Sequence, residues 1–244
     1  MKEKLAQDAA REVTREELLQ ENARLRGDLL TVAVRVSHDL RTPLGGIVNT
    51  GELLQEILIE KEPAAAALTD SLFTSVDEMN KLIGQIRVIT KASADPKPKE
   101  RVNMAEIISG VLQRLESRIL KAQATIAEPG SWPEADGVAD WLEVIWWNFL
   151  ANALQHAGEK PRIELSWRQE KNAFRFQICD SGGGVPAEVR AKLFQPFDSL
   201  HQPESGWGLG LSVVQRLVDL QGGSCGCEPN PKGGACFFFT LPAA

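Results

Sequence analysis

Residues 18–44 read Leu18-Leu-Gln-Glu-Asn-Ala-Arg-Leu-Arg-Gly-Asp-Leu-Leu-Thr-Val-Ala-Val-Arg-Val-Ser-His-Asp-Leu-Arg-Thr-Pro-Leu44 and carry two overlapping patterns. The first is a heptad seam. Leu18, Asn22, Leu25, Leu29, Val32 and Val36 recur at alternating spacings of four and three, with Asn22 the single polar member that fixes register in paired helices. One helix cannot bury so narrow a stripe, so a partner is implied. An intramolecular helix pair would serve, and parallel dimerisation is the reading we favour. The second pattern is Ser37–Leu44, which sets a histidine, a carboxylate and a hydroxyl on adjacent helical turns. Pro43 cannot donate to the carbonyl of Asp39, which predicts a kink beside His38, and Gly45 and Gly46 weaken the helix further.

Working outward, the helical pattern runs from Thr14 to about Glu60, with Thr14 and Glu17 spaced as a capping box. After Pro63 a second apolar series (Leu68, Leu72, Val76, Met79, Ile83, Ile86) predicts a returning helix that ends near Ala94. Two such hairpins make a four-helix bundle. Asp95–Glu100 has two prolines and no apolar residue besides them, and reads as a linker.

Beyond it the texture changes. A helix is predicted over about Met104 to Ala122, and Asp140 with Glu143 is placed to cap another reaching about Ala157. Ile163, Leu165 and Trp167 alternate, as do Phe174, Phe176 and Ile178, so both segments read as strands. Pro186 opens a short helix, Leu209–Leu220 forms another before Gly222-Gly223 stops it, and Cys236–Leu241 is a final strand. The expected fold is an all-α helical hairpin forming a dimeric four-helix bundle, followed by an α/β sandwich with helices on one face of a mixed sheet. The expected domains are 1–30, an N-terminal coiled-coil helix; 31–94, the hairpin; 95–100, the linker; and 101–244, the sandwich.

Composition narrows the function classes. The chain has 244 residues, 43% of them hydrophobic, and a formal charge of −6, which argues against nucleic acid as a partner. No apolar run approaches the roughly 20 residues of a membrane span, and the first residues are charged rather than signal-like. A soluble cytoplasmic chain with no membrane contact of its own is expected. Cys179, Cys225, Cys227 and Cys236 lack metal-knuckle spacing, and inert packing in a reducing compartment is the expectation. Trp146 and Trp147 are expected to pack in the core or between domains.

Three later segments carry chemistry. Asn148, Asn152 and Gln155 share one helix face, and the two asparagines offer neutral oxygens suited to a hydrated magnesium ion. A polar face meeting solvent explains the same spacing. Asp180-Ser-Gly-Gly-Gly184 sets a carboxylate at a strand end before glycines that let backbone approach a ligand; a generic tight turn has the same composition. Gly206-Trp-Gly-Leu-Gly210 opens a helix whose N-terminal amides favour an anion. It matches neither a P-loop nor a dinucleotide fingerprint.

In this order the motifs resemble those of the transmitter core of bacterial sensor histidine kinases over about Thr14 to Leu241. Ser37–Leu44 resembles the H box, Asn148–Ala157 the N box and Asp180–Pro186 the first glycine box. Leu193-Phe-Gln-Pro-Phe197 resembles the F box and Gly206–Leu211 the second glycine box. The resemblance implies a dimerisation and histidine-phosphotransfer domain followed by a Bergerat-type (GHKL) ATP-binding domain, with Asp198–Ser205 as a short mobile lid. It implies ATP and Mg2+ as cofactors, Asn152 as magnesium ligand with Asn148 its companion, and Asp180 as reader of the adenine amine. Gly182 and Gly184 would shape that pocket, while Gly206, Gly208, Leu209 and Gly210 would lie at the phosphates. Where the family often has a basic residue, this chain has Gln155; Lys192 is a candidate substitute, and slow autophosphorylation is the expected symptom.

The implied activity is that of an ATP-dependent protein-histidine kinase. His38 offers a ring nitrogen as nucleophile, and Asp39 is placed to hold its other nitrogen and take up the proton. Thr42 resembles the residue that positions water for dephosphorylating a partner. The expected partners are a second copy and a response-regulator receiver domain. The alternative is an ATP-regulated phosphatase or phosphotransfer scaffold with little autokinase activity. A chaperone or repair ATPase of the same nucleotide fold would not explain the His-Asp-x-x-Thr-Pro helix. His156 and His201 are not expected to accept phosphate.

Overall fold

The structure is a computed structural model that describes residues 15–59, 62–95, 97–190, 192–195 and 209–243. The chain packs as two compact units, one of residues up to Val76 with Ser93–Asp95, the other of Asp77–Ala92 and the residues after Pro96.

Two long helices come first, α1 (Arg15–Leu58), which lies in the first unit, and α2 (Pro63–Ala94), whose residues Asp77–Ala92 belong to the second. Their ends match the sequence reading to within two residues, although Thr14 lies outside the described residues. Helix α1 continues through Pro43. The hairpin closes where Gly51 meets Phe73: a Cβ at Gly51 would sit 2.8 Å from the ring, so glycine is what lets the helices approach. Nearby, the Gln55 amide donates to Asp70 at 3.0 Å. The heptad seam stays uncovered, with Leu18, Leu25, Leu29 and Val32 each between 57 and 60% exposed. Transferring such side chains out of water is worth about 1.5–3 kcal/mol each.

The remainder of the second unit is the α/β sandwich. Strand β1 (Glu100–Asn103) leads into α3 (Met104–Ala122), followed by β2 (Thr125–Ala127), β3 (Glu134–Gly137) and α4 (Ala139–His156). Then come β4 (Arg162–Glu170), β5 (Ala173–Asp180), α5 (Ala187–Arg190), α6 (Gly210–Leu220), β6 (Cys225–Pro229) and β7 (Ala235–Pro242). The main sheet has five strands in the order β2-β4-β5-β7-β6; β2 runs parallel to β4 and every other pairing is antiparallel. Strands β1 and β3 form a separate antiparallel ribbon.

The alternation that predicted β4 and β5 sorts their side chains. Ile163, Leu165, Phe176 and Ile178 join Phe237 and Phe239 of β7 in the core, against Ile108 and Leu115 of α3, Leu142, Trp146 and Phe149 of α4, and Val214 and Leu217 of α6. Trp146 is fully buried, edge-on to Trp132, Phe176 and Phe239, with its indole N–H directed at the Met104 sulfur. Trp146 is therefore core, as expected, and half-buried Trp147 packs on the same cluster.

Three local expectations are corrected. Helix α4 starts from Val138 with no side-chain cap; Asp140 pairs instead with Lys97, and Glu143 with Arg114 at 2.8 Å, because opposite charges on neighbouring elements claim both carboxylates. The cap that does form is at α3, where the Asn103 carboxamide accepts from Ala105 N–H. Glu100, assigned to the linker, opens β1. Finally, Cys179 and Cys236 are not inert thiols: they face each other across β5 and β7 and form a disulfide.

Candidate nucleotide and phosphoacceptor sites

On α1, Ser37 is buried and its hydroxyl donates to Ala33 O at 2.5 Å, while His38 stands exposed on the neighbouring face. The Asp39 carboxylate lies 3.3 Å from Nδ1 of His38, and the imidazole side chain is 82% exposed. Nδ1 therefore has an acceptor beside it while Nε2 is left open to a reagent, the arrangement an activated nucleophile requires. Asp39 is also 4.0 Å from Arg35. Thr42 is exposed one turn further on.

In the sandwich, Asp180 ends β5 and is 6% exposed. Its Oδ1 accepts the Gly182 N–H at 2.8 Å and the Ala235 N–H at 3.3 Å. No described residue donates to its Oδ2, so one acceptor remains for a donor such as an exocyclic amine. Glycines crowd this carboxylate. A Cβ at Gly182 would lie 2.7 Å from the His156 carbonyl and 2.8 Å from Ala157 Cα. Gly184 has φ +75° and would press a Cβ to 3.0 Å from the Gly234 carbonyl. Backbone packed this closely admits only glycine.

Helix α4 presents the predicted asparagines. Asn148 donates through Nδ2 to Val144 O at 2.7 Å, which turns its Oδ1 toward Gly210, where a Cβ would come within 2.6 Å. The first residue of α6 is thus brought against the first asparagine, although 62 positions separate them in sequence numbering. Asn152 is half-buried, and its carboxamide makes no hydrogen bond among the described residues. Gln155 is exposed. Leu209 is buried and precedes α6, whose first residue, Gly210, lies against Asn148. Gly206, Gly208, His201, the second half of the F-box segment and the Asp198–Ser205 lid lie outside the described residues.

The residues present fit a nucleotide. A buried carboxylate with one oxygen that no described residue claims suits an adenine amine, and the neutral carboxamides of Asn148, beside the first residue of α6, and of Asn152 suit a hydrated cation with phosphates. Sequence reasoning missed the turn between β6 and β7. Asn230 Nδ2 donates to Asp180 O at 2.8 Å, and Gly234, at φ +96°, leaves no room for a Cβ against Asp180. Asn230-Pro-Lys-Gly-Gly234 is legible as a turn, but its destination 50 residues upstream is not.

A helical hairpin bearing an exposed histidine, followed by a glycine-cradled nucleotide sandwich, defines a phosphoacceptor module joined to an ATPase module. Comparison with known proteins agrees on both. Residues 31–95 match the His Kinase A (phospho-acceptor) domain, and residues 137–244 match the histidine kinase-, DNA gyrase B- and HSP90-like ATPase. The alginate biosynthesis sensor protein KinB of Pseudomonas aeruginosa is 28% identical over 218 residues, 86% of this chain and 36% of that protein. Full-length ShkA in complex with AMPPNP shares the fold at TM-score 0.67 and 24% identity, over 88% of this chain and 46% of that one. Histidine kinase ThkA in complex with the response regulator protein TrrA does so at TM-score 0.65 and 20% identity, over 95% of this chain and 68% of that one. The chain therefore carries both a phospho-acceptor domain and an ATPase domain of the kinds found in histidine kinases. It spans between 27 and 36% of the length of the first curated relatives it matches. No described helix is long and apolar enough to cross a membrane.

Proposed function

We propose that the chain is an ATP-dependent protein-histidine kinase of a two-component system, working as a cytoplasmic homodimer with the seam of α1 as part of the dimer contact. The observation that carries this reading is the pairing of an exposed His38–Asp39 couple with the Asp180–Gly182–Gly184 cradle on one chain. Domain limits of 31–94 and 101–244 go with it. ATP supplies the phosphoryl group. Nε2 of His38 forms the P–N bond as the bond to ADP breaks, while Asp39 holds Nδ1 and stabilises the cationic ring. Asp180 reads the adenine amine through Oδ2, Gly182 and Gly184 admit the base, and Asn152, with Asn148, holds Mg2+. Leu209 and Gly210, at the start of α6, flank the phosphates, and Gly206 and Gly208 are assigned to the same role from the sequence.

A phosphohistidine is labile, so the group passes on to an aspartate of a receiver domain; the complex of ThkA with the response regulator protein TrrA supports a partner of that kind. The AMPPNP complex of ShkA likewise supports an adenine nucleotide. Thr42 is assigned to positioning water for dephosphorylation of that partner. Incubation with terminal-phosphate-labelled ATP and Mg2+ tests the reading. Acid-labile, base-stable label is expected on the native chain and absent from His38→Ala and Asn152→Ala. Nucleotide binding with no label would overturn autokinase activity in favour of a phosphatase or scaffold.

A further inference from the structure

The disulfide between Cys179 and Cys236 occupies a particular place in the sheet. Facing residues of an antiparallel ladder alternate between exchanging both backbone bonds and exchanging none. Ala243 N–H donates to Asn172 O at 2.7 Å. Counted along the register from that bonded pair, Ile178 and Phe237 exchange backbone bonds, whereas Cys179 and Cys236, with Cα atoms 4.0 Å apart, do not. At the next step the ladder changes character. Ala235 N–H goes to the Asp180 carboxylate, and the Asp180 carbonyl accepts from the Asn230 side chain. Past Ile178, then, the sulfur bridge is the covalent tie between β5 and β7. It immediately precedes Asp180 on one strand and immediately follows Ala235 on the other.

Both cysteines alternate with core residues Ile178 and Phe237, so they lie on the sheet face away from the helices, and Cys179 is only half-buried. The other two thiols differ. Cys225 and Cys227 are unbridged and pack against the apolar core.

We propose that Cys179 and Cys236 are a reversible dithiol–disulfide couple that sets the affinity of the adjoining nucleotide site. The coupling rests on the assignment of that site to ATP. In reduction, a thiolate of an external dithiol attacks one sulfur and the Cys179–Cys236 bond breaks. The second thiol then resolves the mixed disulfide, so two electrons and two protons pass to the cysteines and the dithiol leaves as a cyclic disulfide. Oxidation runs the exchange backward with an external disulfide such as glutathione disulfide, which leaves as two thiols. With the bridge open, the described residues that still hold Asp180 from this side are Ala235 of β7 and Asn230 of the β6–β7 turn, each by one hydrogen bond.

The test uses the full chain, equilibrated with glutathione disulfide or with dithiothreitol, alkylated and mapped by peptide mass. ADP affinity is measured calorimetrically in both states. A Cys179–Cys236 peptide is expected in the oxidised sample alone, with Cys225 and Cys227 alkylated after unfolding. ADP affinity is expected to fall about fivefold or more on reduction, and by reciprocity saturating ADP raises the dithiol concentration for half-reduction by the same factor. A Cys179→Ser/Cys236→Ser chain should bind ADP alike in both buffers. Free thiols at both positions after oxidation, or equal ADP affinity in the two states, would overturn the proposal. A mapped bridge with no ADP binding in either state would refute the nucleotide-site reading, and with it the coupling.

Discussion

The Asn230 carboxamide donates to the backbone carbonyl of Asp180 over 2.8 Å, so the β6–β7 turn clasps the residue that ends β5. The same turn is closed on itself, with Asn230 N–H donating to Gly234 O and Lys232 N–H to Asn230 Oδ1. It delivers the Ala235 N–H to the Asp180 carboxylate. The orientation of the buried carboxylate is therefore set from two sides, by its own glycine loop and by a hairpin far along the chain.

Asn230→Ala removes the part-buried hydrogen bond to Asp180, worth about 0.5–1.5 kcal/mol, together with the exposed one from Lys232 N–H. A loss of up to about tenfold in ADP affinity is expected, with circular dichroism unchanged. Titration calorimetry checks it, and affinity equal to the native chain would show that the turn does not position Asp180.

Gly182→Ala places a methyl group against the His156 carbonyl and Ala157 Cα. Either the C-terminus of α4 or the loop must move, and over-packing of this kind costs about 1–3 kcal/mol. A lower melting temperature and weaker ADP binding are expected together. Gly183→Ala, where a Cβ meets nothing within 4 Å, should retain both properties.

Leu25 and Leu29 are 58 and 60% exposed on α1, leaving apolar surface for a second copy to cover. Each Leu→Ala change removes about 1.5–3 kcal/mol of burial from each protomer. Sedimentation equilibrium is expected to show dimer dissociation shifted at least about tenfold by either substitution. An unchanged dimer would place the contact elsewhere.

Burial pushes the Cys225 thiol from 9.0 up to about 12, with the Asp219 carboxylate adding to the effect. Burial likewise raises Cys227 to about 11, against the opposing influence of Arg190. In the unfolded chain these thiols lose their protons first, so above pH 9 the folded state binds more protons and stability falls as pH rises. The chain has no tyrosine to titrate in that range. Melting temperature is expected to drop between pH 9 and 11, less steeply in Cys225→Ala/Cys227→Ala. Equal slopes would mean the two thiols are not protected.

Much of this molecule was legible without coordinates. The 3–4 spacing of Leu18 to Val36 and of Leu68 to Ile86 marks both long helices, because amphipathic periodicity is a local property of the chain. Phe174, Phe176 and Ile178 mark β5 for the same reason. Asn148, Asn152 and Asp180 stand out because side-chain chemistry and helical spacing are also local. The short strands β1, β2 and β3 were missed: three or four residues are too few to show a period, and they exist because a neighbouring strand supplies their hydrogen bonds.

Residues brought together across long separations were not legible in the same way. Asp140 and Glu143 read as helix caps, yet Lys97 and Arg114 claim them once α3 and the segment before β1 are packed alongside. Four cysteines admitted several pairings or none. Sheet register alone sets Cys179 opposite Cys236 and turns Cys225 and Cys227 inward to the core. The helices, the strand alternation and the side chains that carry chemistry follow from the order of residues, since each depends on neighbours within a few positions. The clasp of Asn230 on Asp180 and the bridge beside it depend on strand order and register, which the packing of the whole sheet sets.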